Sequence, residues 1–197
     1  MRWTATVVML LFFAAYGAAQ EQTSPSGASE GSHFGAPVVK YILIRGEGAI
    51  MVGGRGGWNI TPSLLLGGGL YGAVTGVHAR EGAVPDAPGP LDVRFESFGF
   101  DLEYASHPEA PTHLTLGASL GGGAARYVRR GTDEQHGETD FMLLLEPAVG
   151  VERRVTDWLH LNLSASYRVV SGVEQPGLED SDIRGLGVAL AAKLGQF

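Results

Sequence analysis

Hydrophobic residues recur at every second position along most of the chain, the spacing of β-strands rather than the 3.6-residue period of helices. In Leu159–Val169 one face carries Leu159, Leu161, Leu163, Ala165, Tyr167 and Val169, and the other carries His160, Asn162, Ser164, Ser166 and Arg168. The segment is as long as a tilted membrane-spanning strand, about 9–11 residues. Before it, Phe141, Leu143, Leu145, Val149 and Val151 share a face opposite Glu146, Ala148, Gly150 and Glu152. Alternation also predicts strands over Glu47–Trp58, Thr61–Thr75, Leu91–Tyr104, Thr112–Tyr127 and Ile183–Phe197. Val38–Arg45 supplies a first strand, with a tight turn at Arg45-Gly46-Glu47. The competing reading is one long bent strand from Val38 to Trp58.

The connections alternate in length. Asn59-Ile60, Ala105–Pro111 and Val155–Trp158 are short, whereas Gly76–Pro90, Val128–Thr139 and Val170–Asp182 are long. Tight turns at one end and large loops at the other are the habit of outer-membrane barrels, whose strands come in even numbers. The expected fold is therefore all-β: an antiparallel up-and-down transmembrane barrel of about eight strands, spanning 37–197. Trp58, Tyr104 and Trp158 fall at the turn ends of strands, and Tyr127, Phe141 and Tyr167 at the loop ends. Those are the places of interfacial aromatic girdles, where a ring sits in the apolar edge with its polar atom wet.

The first residues have a different pattern. Arg2 precedes an apolar run from Val7 to Ala15, and Gly17-Ala18-Ala19 follows. This is the layout of a secretory signal peptide over residues 1–19, which implies export through the Sec pathway to the outer membrane. Residues 20–36 are rich in Ser, Gly and Glu without apolar periodicity, and are expected to form a disordered leader. Composition agrees with strands: 30 of 197 residues are Gly, and only 18% are charged. Each Gly would cost a helix about 1 kcal/mol. The net charge of −7 argues against nucleic acid, which requires a basic stripe. With no Cys, disulfides, thiolate metal sites and a Cys nucleophile are excluded.

With strands, loops and girdles in place, the chain resembles the small eight-stranded outer-membrane barrels, such as the OmpA transmembrane domain and OmpX. It is also similar to the loosely defined group of outer-membrane β-barrel domains, through Val52-Gly53-Gly54-Arg55-Gly56-Gly57-Trp58 and the final Phe197. The resemblance implies that Phe197 is the signal read by the barrel assembly machinery. One feature departs from the pattern: Leu186, Val188, Leu190 and Leu194 share a parity that Phe197 does not, so either a bulge near Gly195 restores the phase or the signal is weak.

In a narrow barrel the inward charges must pair, because an unpaired buried charge is costly. A turn at Thr156-Asp157 that sets Val155 opposite Leu159 also sets Glu146 against Arg168 and Glu152 against Asn162. By parity Arg55, Asp101, Glu103 and Lys193 join this expected structural network in the lumen. His160, Ser164 and Ser166 share its face. At about 3.3 Å per residue, however, His160 and Ser164 lie too far apart for a base and its nucleophile. Gly67-Gly68-Gly69 and Gly121-Gly122-Gly123 open no helix and precede no Lys-Ser/Thr, so they are expected to shape strands rather than cradle phosphate. Glu179, Asp180 and Asp182 lack the spacing of a calcium loop.

The expectation is a non-enzymatic, monomeric outer-membrane barrel without cofactor or metal. It has outer-membrane lipid around it, a lumen plugged by polar side chains, and a structural or surface-interaction role. The chief alternative is a soluble periplasmic or secreted lipocalin-like barrel, which binds a small apolar ligand and needs its polar residues outside. A lipid-modifying barrel enzyme is the third reading.

Overall fold

The computed structural model describes residues 32–84, 89–132 and 134–197; the expected signal peptide and the leader up to residue 31 lie outside them. Nine strands are present among the described residues: β1 His33–Ile44, β2 Glu47–Thr61, β3 Leu64–Ala73, β4 Val77–His78, β5 Leu91–Ala105, β6 Thr112–Arg129, β7 Gln135–Arg154, β8 Leu159–Ser171 and β9 Gly185–Gly195. One helical turn, α1, spans Asp180–Ile183. Every strand pairing is antiparallel. The order runs β3-β2-β1-β9-β8-β7-β6-β5, and β3 pairs with β5 to close an eight-stranded barrel. The short β4 adds to β5 above the loop end.

The first hairpin settles the choice between a turn and one bent strand. Arg45 and Gly46 both have positive φ, 54° and 75°. This is the two-residue turn whose twist suits a hairpin, and it favours Gly at the second position. Arg45, the residue for which positive φ is unfavourable, is held by its N–H donating to the Asp182 carbonyl at 2.6 Å.

Several boundaries shift from the alternation reading, each for a physical reason. β1 begins at His33, so the end of the expected leader is strand: Phe34 and Ala36 are buried in phase with Val38, while the outward positions are Gly35 and Pro37. A face made of Gly and Pro carries no apolar signal. β2 runs on to Thr61, and the turn falls at Pro62-Ser63, where Thr61 Oγ1 accepts the N–H groups of Ser63 and Leu64. β6 and β7 extend to Arg129 and back from Gln135, which shortens the expected Val128–Thr139 loop. Their upper parts carry polar residues on both faces, so period two vanishes there although the strand continues.

The glycine runs lie in mid-strand. A Cβ on Gly121 would sit 2.0 Å from the Phe98 carbonyl oxygen, so only Gly permits this close approach between β5 and β6. On the outer surface a belt of apolar side chains circles the barrel, with Phe100 77% and Phe141 72% exposed. The polar faces point inward. A soluble apolar-ligand barrel needs the reverse arrangement, and the strands do not adopt it.

Candidate functional site

The inward side chains are the best-defined chemistry in the molecule, and they form two tiers. At the turn end, Lys193 lies between two carboxylates: its Nζ donates to Glu103 Oε1 at 2.5 Å and also to Glu152 Oε2. Glu103 also accepts from Arg55 Nη1 at 3.0 Å, and Arg55 Nε lies 3.5 Å from Asp101 Oδ2. Glu152 meets His160 Nδ1 at 2.9 Å and accepts from Asn162 Nδ2 at 3.4 Å, with His113 Nε2 at 3.8 Å. Asn162 Nδ2 donates in turn to Thr115 Oγ1 at 3.1 Å. A second cluster, higher in the barrel, pairs Lys40 with Glu146, which also accepts from Ser166 Oγ at 2.6 Å. Lys40 and Lys193 are the only lysines of the chain, and both point into the lumen. Pairing offsets the desolvation of such charges, and the remaining lone pairs need hydrogen bonds.

At the loop end the inward positions become apolar. Ile42 and Ile44 of β1, Met51 of β2, Val93 and Phe95 of β5, Tyr127 of β6, Met142 and Leu144 of β7 and Val170 of β8 pack together. Val77, Ala83, Leu178 and Ile183 cover them from the long connections. Arg168 sits at the junction of the tiers. Its Nε donates to the Ile183 carbonyl at 2.9 Å and its Nη2 to the Leu43 carbonyl at 3.0 Å, and its guanidinium lies 5.0 Å from the Phe95 ring centroid. It therefore ties the loop before β9 to β1.

No protein-family profile matches the chain, and no curated protein does. Solved structures do match. Neisserial surface protein A (NspA) superposes with a TM-score of 0.60 at 18% identity, covering 86% of this chain and 99% of that one. The N-terminal β-barrel domain of Pseudomonas aeruginosa OprF gives 0.53 at 13% identity over 85% and 99%. Ail, the attachment invasion locus protein of Yersinia pestis, gives 0.51 at 11% identity over the same shares, 85% and 99%. The chain has the fold of a small eight-stranded outer-membrane β-barrel.

In barrels of that fold the short turns face the periplasm and the long loops the outside. Trp58, Tyr104 and Trp158 are exposed at or near the short turns, and Phe141 and Tyr167 on the outer face toward the long-loop end. Tyr127 does not belong to the girdle. It is 1% exposed inside the barrel, and its hydroxyl donates to the Pro176 carbonyl at 2.6 Å.

The β7–β8 register is the expected one, with Glu152 opposite Asn162. The Glu146–Arg168 pair is nevertheless not formed. Lys40 reaches Glu146 from β1, and Arg168 turns to backbone carbonyls instead. Lys40 was the residue that sequence reasoning missed. The signal was present, since it is the one charge in the apolar run Val38–Ile44.

Phe197 keeps the inward parity of Lys193. No bulge restores the outward phase, and its ring stacks on His160 at 3.8 Å and lies 6.4 Å from Phe34. His160 is committed to Glu152 and Phe197 rather than to a serine. The acidic run is occupied by local contacts. Asp182 receives Arg80 at 3.2 Å and the Glu179 N–H at 3.0 Å, and Asp180 accepts the Val173 N–H at 2.9 Å. Among the described residues no group of three or more His, Cys, Asp or Glu side chains has the arrangement to hold a metal ion.

Proposed function

We propose that this is a monomeric, non-enzymatic outer-membrane protein whose lumen is closed to solutes, and that its role lies in the structure of the membrane or at the cell surface. The observation that carries the reading is the apolar tier. Met51, Phe95, Tyr127 and Ile183 are each 1% exposed or less across the extracellular third. An eight-stranded interior is just wide enough for side chains to fill. Below that tier, ion pairs and His160 against Phe197 occupy the periplasmic part. Outer-membrane lipid surrounds the belt, and the barrel assembly machinery inserts the chain.

Ail has been solved with the heparin analogue sucrose octasulfate. The present rim does not favour a polyanion, because its arginines already face carboxylates: Arg126 with Glu96, Arg129 with Glu134 and Arg130 with Asp92. The reading is tested by fractionation and by gel mobility before and after boiling. The protein is expected in the outer-membrane fraction, resisting SDS until boiled and then shifting mobility. Recovery in the soluble periplasmic fraction would overturn the reading.

A further inference from the structure

The connection between β8 and β9, residues 172–184, crosses the loop end and is fastened mainly by carboxylates. Asp140 Oδ2 of β7 accepts the N–H groups of Glu174 and Gln175, at 2.9 and 3.0 Å. Asp180 Oδ1 accepts the Val173 N–H at 2.9 Å, and its Oδ2 faces Arg184 at 3.4 Å. Asp182 stands between Arg80 of the β4–β5 connection, at 3.2 Å, and Arg45 of the first turn, at 3.9 Å. Tyr127 of β6 adds an uncharged bond to the Pro176 carbonyl. Between these fasteners Leu178 reaches into the apolar tier and is 5% exposed. The far end is held differently. The Asp182 carbonyl accepts the Arg45 N–H at 2.6 Å, and the Ile183 carbonyl accepts Arg168 Nε at 2.9 Å. Neither of those two bonds depends on a carboxylate.

We propose that this connection is an acid-released strap, which swings out about its fixed end at Ile183 when Asp140, Asp180 and Asp182 are protonated. Hydrogen bonds to an ionised carboxylate are roughly twice as strong as neutral ones. Protonation makes the bonds to Val173, Glu174 and Gln175 neutral, and it leaves Arg45 and Arg80 without their counter-charge. The groups facing the carboxylates from other elements are Arg45, Arg80 and the Tyr127 hydroxyl, with Arg184 at the strap's own end. Arginines keep their charge throughout, so acid acts on the carboxylates and favours the open strap. Opening withdraws Leu178 and uncovers the top of the apolar tier as a local event, while the barrel stays folded. Ile183 remains on Arg168, so the lumen stays closed in acid as at neutral pH.

Leu178→Cys gives the full chain a single thiol, since the sequence has no Cys. In nanodiscs its reaction with dithiodipyridine, a reagent active in acid, is divided by the rate of the urea-unfolded chain at the same pH. The thiol should be protected at about pH 7. Its relative rate should rise about tenfold or more at about pH 4, in the ordinary carboxylate range, with the strand signal in circular dichroism unchanged. Adding Asp140→Asn should raise the neutral rate and shrink the ratio between acid and neutral. In the wild type, the Glu174 and Gln175 amides should lose protection over the same interval once the intrinsic pH dependence of exchange is divided out. Equal protection of both amides at the two pH values overturns the proposal whether or not the variants fold. So does an acid response that Asp140→Asn leaves untouched.

Discussion

The two ends of the lumen are built on the same strands with the same inward parity, yet they are held by opposite physics. At the extracellular end the inward positions of β1, β2 and β5 are Ile42, Ile44, Met51, Val93 and Phe95. Nearer the periplasm the same strands present Lys40, Arg55, Asp101 and Glu103. The upper tier is stabilised by area removed from water, on the order of 1.5–3 kcal/mol for each large side chain fully buried. The lower tier gains little net from its charges, because desolvation offsets attraction, but it loses heavily when one partner is removed. The upper tier should therefore respond to changes in volume, and the lower tier to changes in charge.

The largest expected effect is at Lys193, which serves two carboxylates. Lys193→Ala should lower stability by about 3–5 kcal/mol in urea unfolding, since it leaves Glu103 and Glu152 buried without their shared cation. Adding Glu103→Gln and Glu152→Gln should recover most of that loss. A full loss in the triple variant would show that packing, not charge, matters there.

In the upper tier, Met51→Ala should cost about 3 kcal/mol through the cavity it leaves. Met51→Leu should cost less than about 1.5 kcal/mol, because volume is conserved. Lys193→Met, close in shape to lysine, should cost nearly as much as Lys193→Ala. If it is as mild as Met51→Leu, the contrast between the tiers fails.

Double-mutant cycles sharpen the wiring. Lys40 with Glu146 should show a coupling of about 1–3 kcal/mol, and Arg168 with Glu146 a smaller one, because Arg168 spends its hydrogen bonds on the carbonyls of Leu43 and Ile183. The reverse order would restore the pair that the strand register alone suggests.

The smallest effect lies beyond the belt, at the extracellular turn. The hydrogen bond from His78 holds the Glu47 carboxyl below its ordinary pKa. A lowered folded pKa contributes stability that is present above the ordinary carboxylate range and fades as pH falls through the lowered value. The protection of the His78 amide, which donates to Glu47 Oε2 at 3.3 Å, should therefore fall in acid in the wild type, once the intrinsic slowing of exchange at low pH is divided out. In Glu47→Gln it should lose that added acid sensitivity, with little change in overall unfolding.

Much of the barrel was legible in the chain, because period two survives wherever one face is apolar and the other polar. The inward set Arg55, Asp101, Glu103, Glu152 and Lys193 follows from parity alone, and so does the β7–β8 register. Parity also held the answer for Tyr127, which alternates with the outward Leu114, Leu116 and Leu120, although its place at a strand end suggested the girdle. The apolar tier was hidden for a different reason. In Val38–Ile44 both faces are apolar except at Lys40, so no alternation remains to mark which face is inside. The partners of Arg168 could not be read from neighbouring strands, since Leu43 lies far away along the chain and Ile183 belongs to a loop.

Whether the two tiers together close the lumen is tested most directly by single-channel recording of the refolded protein in planar bilayers. The prediction is a baseline without stepwise openings in wild type, and no openings in Met51→Leu. Discrete, reproducible conductance steps from the wild-type protein would contradict it.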